Sequence, residues 1–210
     1  MKNPRQAPRI LLDFGFVLTG PQDCRVFAPL LAEWDLALPV FMDAWAARRR
    51  DYDAGILDAA GYWQWTLEAC RVRGARGIVA ERLSELVEID ISAWMEPRVA
   101  VHELLNGLLD RGAELAILSN MPRGVGARFV AAWPWIKRIG LRHFSGDEGL
   151  AKPDPAFYRH FLEKSGWLAE ETLFVDDSAA NIETAASLGF AVHHFTEEAA
   201  ALEALRAWAL

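Results

Sequence analysis

Cysteine is scarce in this chain: only Cys24 and Cys70 occur, far apart and without metal-ligand spacing. The two read as ordinary buried or free thiols of a reducing cytoplasm. Long apolar runs are missing too, since no window reaches the roughly 18 apolar residues that a membrane span requires. The first nine residues, MKNPRQAPR, are basic but lack the apolar stretch of a signal peptide, so they read as a frayed arm and the expected location is cytoplasmic. Positive charge is in deficit, with 22 Lys and Arg against 29 Asp and Glu and a net charge of −7. That balance argues against a general nucleic-acid binder, although a local basic site suffices for a small anion. There is no internal repeat, low-complexity tract or long linker. Apolar mass is plentiful: 52% of the 210 residues are hydrophobic, enough for one medium domain with an inserted subdomain.

From about residue 96 the pattern alternates between short apolar runs and helical stretches. The runs are AELAILS (113–119), TLFVDDS (172–178) and FAVHHF (190–195), and RILLDF earlier in the chain is another of the kind. Helices are expected from Pro122 to about Ala132 and over about 98–110, 155–165, 179–187 and 197–208. Strands interleaved with helices of this length imply a parallel sheet covered on both faces. Residues 20–95 break the rhythm with helical patterns near 22–35, 38–53, 58–73 and 78–88, and they hold Trp34, Trp45, Trp63, Trp65 and Trp94. These aromatics read as a small helical core. An insertion after the first strand sits over that strand's C-terminal end, where open α/β sheets bind ligands, so it reads as a cap.

One stretch, LLDFGFVLTG (11–20), ends an apolar strand on a lone acid, Asp13, with Gly15 two places on. In a parallel sheet, strand ends gather Asp13, Ser119-Asn120 and Asp176-Asp177, with Lys152 in the loop GLAKPDP. Each has a local alternative. Asp13 can be a turn residue, Ser119 or Asn120 a helix N-cap ahead of Pro122, Asp154 the cap before Pro155, and Ser178 the cap before Ala179. Together they suit a carboxylate attacking phosphorus, because an anion approaching an anion needs Mg²⁺ held by oxygens. Two adjacent aspartates at a buried strand end also repel without a cation. Lys152 and a hydroxyl at a helix start can hold the remaining phosphoryl oxygens.

The order of Asp13, LSN (118–120), KPDPAFY (152–158) and FVDDSAANIETAASLG (174–189) resembles the four motifs of the haloacid dehalogenase superfamily of hydrolases. The resemblance covers essentially the whole chain. It implies a Rossmann-like α/β core at 1–19 and 96–210 with an all-helical cap at 20–95. The branch it is most similar to holds small phosphatases acting on sugar phosphates such as glucose 1-phosphate. By that resemblance Asp13 becomes an aspartyl-phosphate, and Ser119 and Lys152 bind the phosphoryl group. Asp177 ligates Mg²⁺ directly, Asp176 acts through water or positions the metal, and the Gly15 carbonyl is a further ligand. Asn120 and Phe16 join Ser119 and Lys152 in facing the substrate. The partner implied is a small phosphorylated molecule, not nucleic acid or membrane, and the chain is expected as a monomer or weak homodimer.

Two departures stand out. Most phosphatases of the superfamily carry a second Asp where Gly15 stands, as general acid and base, and Phe16 replaces a small residue, so an aromatic ring lines the pocket. Dehalogenation of a 2-haloacid needs neither metal nor the acidic pair, and a fold kept only for binding needs no intact motif. Gly15, non-acidic as in dehalogenases, argues weakly for the first; the intact Asp176-Asp177 argues against it, and the intact Asp13, Ser119, Lys152, Asp176 and Asp177 argue against the second. The run Arg48-Arg49-Arg50 offers contacts to an anionic substrate, but mid-helix beside Asp51 and Asp53 it reads better as a solvated, salt-bridged helix face. His193 and His194 alternate across a strand and receive no role.

Overall fold

A strand reading Arg-Ile-Leu-Leu is apolar on both parities, so it needs cover on both faces. This strand, β1 (Arg9–Leu12), lies at the centre of a five-stranded parallel sheet. Its neighbours are β2 (Glu114–Ser119) and β4 (Thr172–Asp176), with β3 (Leu141–Phe144) and β5 (Ala191–His194) at the edges, in the order β3-β2-β1-β4-β5. The structure is a computed structural model that describes residues 7–210. Most of the expected N-terminal arm, residues 1–6, lies outside the described residues. Its last residue is not frayed: Arg9 pairs in the sheet and bridges Glu114 at 2.8 Å and Glu171 at 3.2 Å.

Side-chain alternation sorts the core into two faces. Ile10, Leu12, Leu115, Ile117, Leu173 and Val175 pack on one side, and Leu11, Ala116, Leu118 and Phe174 on the other. The helices of the core are α6 (Val99–Asp110), α7 (Val125–Ala132), α8 (Ser145–Glu148), α9 (Pro155–Ser165), α10 (Ala179–Ser187) and α11 (Glu198–Trp208). The first face is closed by α6, α7 and α11 through Val101, Leu105, Phe129 and Leu205. The second is closed by α9 and α10 through Phe157, Tyr158, Phe161 and Ala185.

Between β1 and α6 the chain forms α1 (Ala28–Glu33), α2 (Leu38–Ala47), α3 (Arg49–Asp53), α4 (Ala59–Ala69) and α5 (Ala75–Ser92). They bury their own cluster, in which Trp45 and Trp63 are central and Trp34 and Trp94 pack alongside. Trp65 stands apart from it, under the Arg48 guanidinium at 5.9 Å. The two crossings to this helical segment bond to each other: Thr19 bridges Pro97, Gly20 N donates to Glu96 O at 2.7 Å, and Arg98 N to Leu18 O at 3.0 Å. Cys24 and Cys70 are free thiols. Among the described residues no helix is long and apolar enough to cross a membrane.

Several elements differ from expectation. The edge strand β3 was not foreseen, because Leu-Arg-His-Phe puts two polar residues in the middle of a four-residue strand. Arg142 is absorbed locally, donating to the carbonyls of Ile136 and Ile139. The stretch 38–53 is two helices, broken where Arg48 takes φ −118 and ψ 13. The pattern at 78–88 belongs to the longer α5, kinked at Arg82. The stretch at 22–35 opens as a 3₁₀ turn at Cys24–Phe27 before α1.

Candidate active site

Register decides which strand ends meet. Leu12 pairs with both Ile117 and Val175, so the next residues on the three strands stand together, and Asp13 N donates to Val175 O at 2.9 Å. The chain runs from β1 out to β2 and β3 on one side and returns to β4 and β5 on the other. The crevice at such a switch point is where an open α/β sheet takes its ligand. Asp13 and Asp176 follow the parity of Leu11 and Phe174, which directs both toward the face covered by α9.

Lys152 enters from the loop before α9 with its side chain almost wholly buried. Its Nζ lies 2.7 Å from Asp13 Oδ1 and 2.6 Å from Asp176 Oδ2. Asp176 is fully buried and fully bonded: Oδ1 accepts from Ser178 N at 2.8 Å and Asn181 Nδ2 at 2.9 Å, and Oδ2 accepts from Asn181 at 3.0 Å. Asp177 is half-buried, and its carbonyl stands 2.9 Å from His194 Nε2. One oxygen each from Asp13, Asp176 and Asp177 lie within 4.8 Å of one another. Burial, with Asp176 and Asp177 adding to it and Lys152 opposing, pushes the Asp13 carboxyl up to about 7. Burial and Asp176 raise Asp177 as well. Burial weakens the Lys152 ammonium, but Asp13 and Asp176 outweigh it and leave its pKa raised. Three carboxylates thus crowd one ammonium, and an all-oxygen donor set with excess negative charge suits a hard divalent cation such as Mg²⁺.

Ser119 ends β2, buried, and lines the same crevice. Asn120 also lines it, but its side chain is engaged with the Lys152 backbone: Nδ2 donates to Lys152 O at 2.8 Å and Oδ1 accepts from Lys152 N at 2.9 Å. Neither residue caps a helix, because α7 starts only at Val125 behind Gly124. Asp154 does cap α9, accepting from Ala156 N at 2.8 Å. Ser178 stands at the N-cap position of α10 without a side-chain cap bond.

Gly15 has an ordinary backbone conformation, and a Cβ there would meet the Trp94 ring at 3.6 Å. Its carbonyl accepts from Val17 N at 2.6 Å and keeps a second lone pair. The left-handed residue is Phe16, at φ 56, an uncommon conformation for a bulky side chain. Its N–H is held by Thr19 Oγ1 at 3.0 Å, and its ring meets Trp94 edge-on at 5.3 Å.

The crevice opens into a cavity of about 290 Å³, walled by Asp13, Phe16, Ser119 and Lys152 below and by Trp45, Arg49, Asp53, Asp90 and Trp94 from the helical segment. Here the reading of the arginine run fails for Arg49. Arg48 pairs with Asp51 at 2.5 Å on the outside and Arg50 is exposed. Arg49, starting a new helix after the break at Arg48, turns inward onto Asp53 and Asp90. Asn181 and His194 also escaped sequence reasoning. Asn181 is five residues past Asp176 in the same motif, a usable signal, whereas His194 depends on the β4–β5 register. A second cluster lies elsewhere: Glu148 sits between His143 at 3.0 Å and His160 at 2.9 Å and ties β3 to α9.

A family model described as haloacid dehalogenase-like hydrolase matches residues 34–189. Among curated proteins, a sesquiterpene phosphatase, astK, of Aspergillus oryzae (strain ATCC 42149 / RIB 40) is 28% identical over 53% of this chain and 57% of its own. A probable phosphoglycolate phosphatase of Pseudomonas putida is 29% identical over 63% of this chain and 58% of its own. The chain therefore spans less than two thirds of the length of these relatives. A HAD family enzyme, bt-2542, of Bacteroides thetaiotaomicron, solved as a magnesium complex, superposes with a TM-score of 0.70 at 20% identity, covering 94% of this chain and 98% of that one. At that identity the superposition speaks for the fold. The family pattern runs through more than half of the sequence, and the chain belongs to the haloacid dehalogenase-like hydrolases.

Proposed function

We propose that the chain is a magnesium-dependent phosphatase acting on a small phosphomonoester through an aspartyl-phosphate at Asp13. The observation that carries this reading is the shared ammonium of Lys152 between Asp13 and Asp176, with Asp177 alongside. A dehalogenase has no use for the acidic pair, whereas an anion attacking an anion needs every cation available.

In this reading Asp13 attacks phosphorus as the ester P–O bond breaks and the alcohol leaves, and water then hydrolyses the aspartyl-phosphate to return Asp13 and release inorganic phosphate. Asp13, Asp177 and the free lone pair of the Gly15 carbonyl would hold the metal, while Asn181 and Ser178 keep Asp176 fixed behind them. Mg²⁺ bound there supplies positive charge against the phosphoryl oxygens. Lys152 turns from its aspartates toward the same oxygens, Ser119 donates its hydroxyl, and Asn120 acts by holding the Lys152 backbone. Residues 20–95 serve as the cap and 1–19 with 96–210 as the catalytic core.

The sugar phosphate favoured by the motif resemblance needs hydroxyl partners, and on the cap side these are confined to Arg49, Asp53 and Asp90. The remaining walls, among them Phe14, Phe16, Trp94 and Phe129, fit an apolar body better. The name of the sesquiterpene phosphatase relative points the same way. The direct test is hydrolysis of p-nitrophenyl phosphate with Mg²⁺, with EDTA, and alongside 2-chloropropionate. Mg²⁺-dependent release of phosphate is expected, and halide release without metal sinks the reading.

A further inference from the structure

The cap wall of the cavity carries charge that phosphoryl transfer does not use. Arg49 places Nε 2.7 Å from Asp53 Oδ1 and Nη1 2.8 Å from Asp90 Oδ2. Trp45 Nε1 donates to Asp90 Oδ1 at 2.9 Å, and the Trp45 ring stacks on the guanidinium at 4.5 Å. Arg49 is therefore engaged through Nε and Nη1, and Asp90 is occupied through both oxygens. Asp53 is not: Oδ1 meets Arg49, while Oδ2 takes no hydrogen bond from a described residue.

Asp53 is also tied to the core. Its backbone carbonyl accepts from Ser145 Oγ, and the same hydroxyl accepts from Met121 N at 3.0 Å, two residues beyond Ser119. Gly55 packs so close to Gly146 that a Cβ on it would lie 2.8 Å from the Gly146 carbonyl. The open oxygen of Asp53 thus belongs to a segment seated on the catalytic loop. Burial pushes its carboxyl up to about 6 against the pull of Arg49, the mark of a desolvated acceptor.

The cations facing the cavity are Lys152 and Arg49, and each is already paired with two aspartates. Once Lys152 serves the phosphoryl group, no unpaired cation among the lining residues awaits a second anion. Between the two charged ends the walls are apolar, through Phe16, Ile91, Trp94 and Phe129.

We propose that Asp53 sets substrate specificity by accepting a hydrogen bond from a hydroxyl or ammonium group at the far end of an otherwise apolar leaving group. A leaving group bearing a second anion is rejected. Arg49 and Asp90 are positioning residues for that carboxylate. The proposal rests on the phosphatase reading for the seat of the phosphate, and it names the substrate class as phosphate monoesters of amphiphilic, neutral or cationic alcohols.

The test is calorimetric titration of Asp13→Asn protein, with Mg²⁺ present, by hexyl phosphates ending in methyl, hydroxyl, ammonium or carboxylate. The hydroxyl- and ammonium-ended esters are expected to bind at least about tenfold more tightly than the carboxylate-ended one. Adding Asp53→Asn, which keeps the side chain's shape and removes its charge, is expected to bring that ratio to within about threefold. Equal affinity for the carboxylate-ended ester, an unchanged ratio in the double variant, or no binding of any ester overturns the proposal. Failure of the phosphatase reading shows separately, as unhydrolysed p-nitrophenyl phosphate in the unmutated protein with Mg²⁺.

Discussion

Asp13→Asn is expected to abolish turnover and, in the metal-free protein, to raise stability. Asn keeps an oxygen for the Lys152 ammonium, which lies 2.7 Å from Asp13 Oδ1, so the contact survives the change. What disappears is a buried negative charge beside two others. Burial first, then Asp176 and Asp177, raise the Asp13 carboxyl from 3.8 to about 7. An acid that holds its proton more tightly folded than unfolded gives its full stability below the unfolded value. It loses that contribution as pH rises through the folded value. Roughly three pK units at about 1.36 kcal/mol each make the cost about 4 kcal/mol once pH exceeds 7, and about 1–2 kcal/mol near pH 5. Urea unfolding in EDTA at about pH 5 and about pH 8 measures both, and the variant's advantage should widen by roughly 2–3 kcal/mol between them. Mg²⁺ should then favour the unmutated protein, because it binds the folded carboxylate more tightly than the amide oxygen. A variant less stable than the parent in EDTA at about pH 8, or an advantage that does not grow with pH, refutes the argument.

Lys152→Met removes the ammonium shared by Asp13 and Asp176. Metal-free protein should lose about 3–5 kcal/mol by chemical denaturation, and p-nitrophenyl phosphate turnover should fall about 10²-fold or more. With Gly15 in place of an acid, no proton donor stands beside the proposed nucleophile at that position. Aryl phosphates should therefore outrun alkyl phosphates steeply, by up to about 10²–10⁴-fold. Gly15→Asp should narrow that gap in a rate series of phosphate monoesters, since Gly15 is not left-handed and the new Cβ meets the Trp94 ring at an ordinary 3.6 Å.

The core was legible because its signals are carried by consecutive residues. Strands that are apolar on both parities and alternate with helices imply a covered parallel sheet, and the faces of Leu11 and Phe174 against Ile10 and Val175 follow that logic. Asp13 and Asp176 come together because each directly follows or ends such a strand. β3 was not legible: an edge strand needs little burial, and Arg142 with His143 disguises it. Asn120 was read as facing substrate because of its place at a strand end, yet its side chain is engaged with the Lys152 backbone. Reciprocal bonds across 32 residues leave no local pattern to read.

The helical segment between β1 and α6 resisted for a different reason, and Arg49 makes it clear. In a continuous helix over 38–53, a run of three arginines beside aspartates is most simply a solvated face. The turn at Arg48, φ −118 and ψ 13, ends α2 and restarts the chain as α3. That break decides which arginine faces water, and no proline or glycine marks it. Once broken, the i,i+4 spacing of Arg49 and Asp53 does what local rules say, closing at 2.7 Å. It does so inside the cavity, because Ser145 and Gly146 seat the end of α3 on the core. The chemistry proposed for this chain is thus written at strand ends, where backbone geometry fixes the neighbours. The choice of substrate proposed for it is written at a helix break, where only the docked tertiary structure shows which side chains look inward.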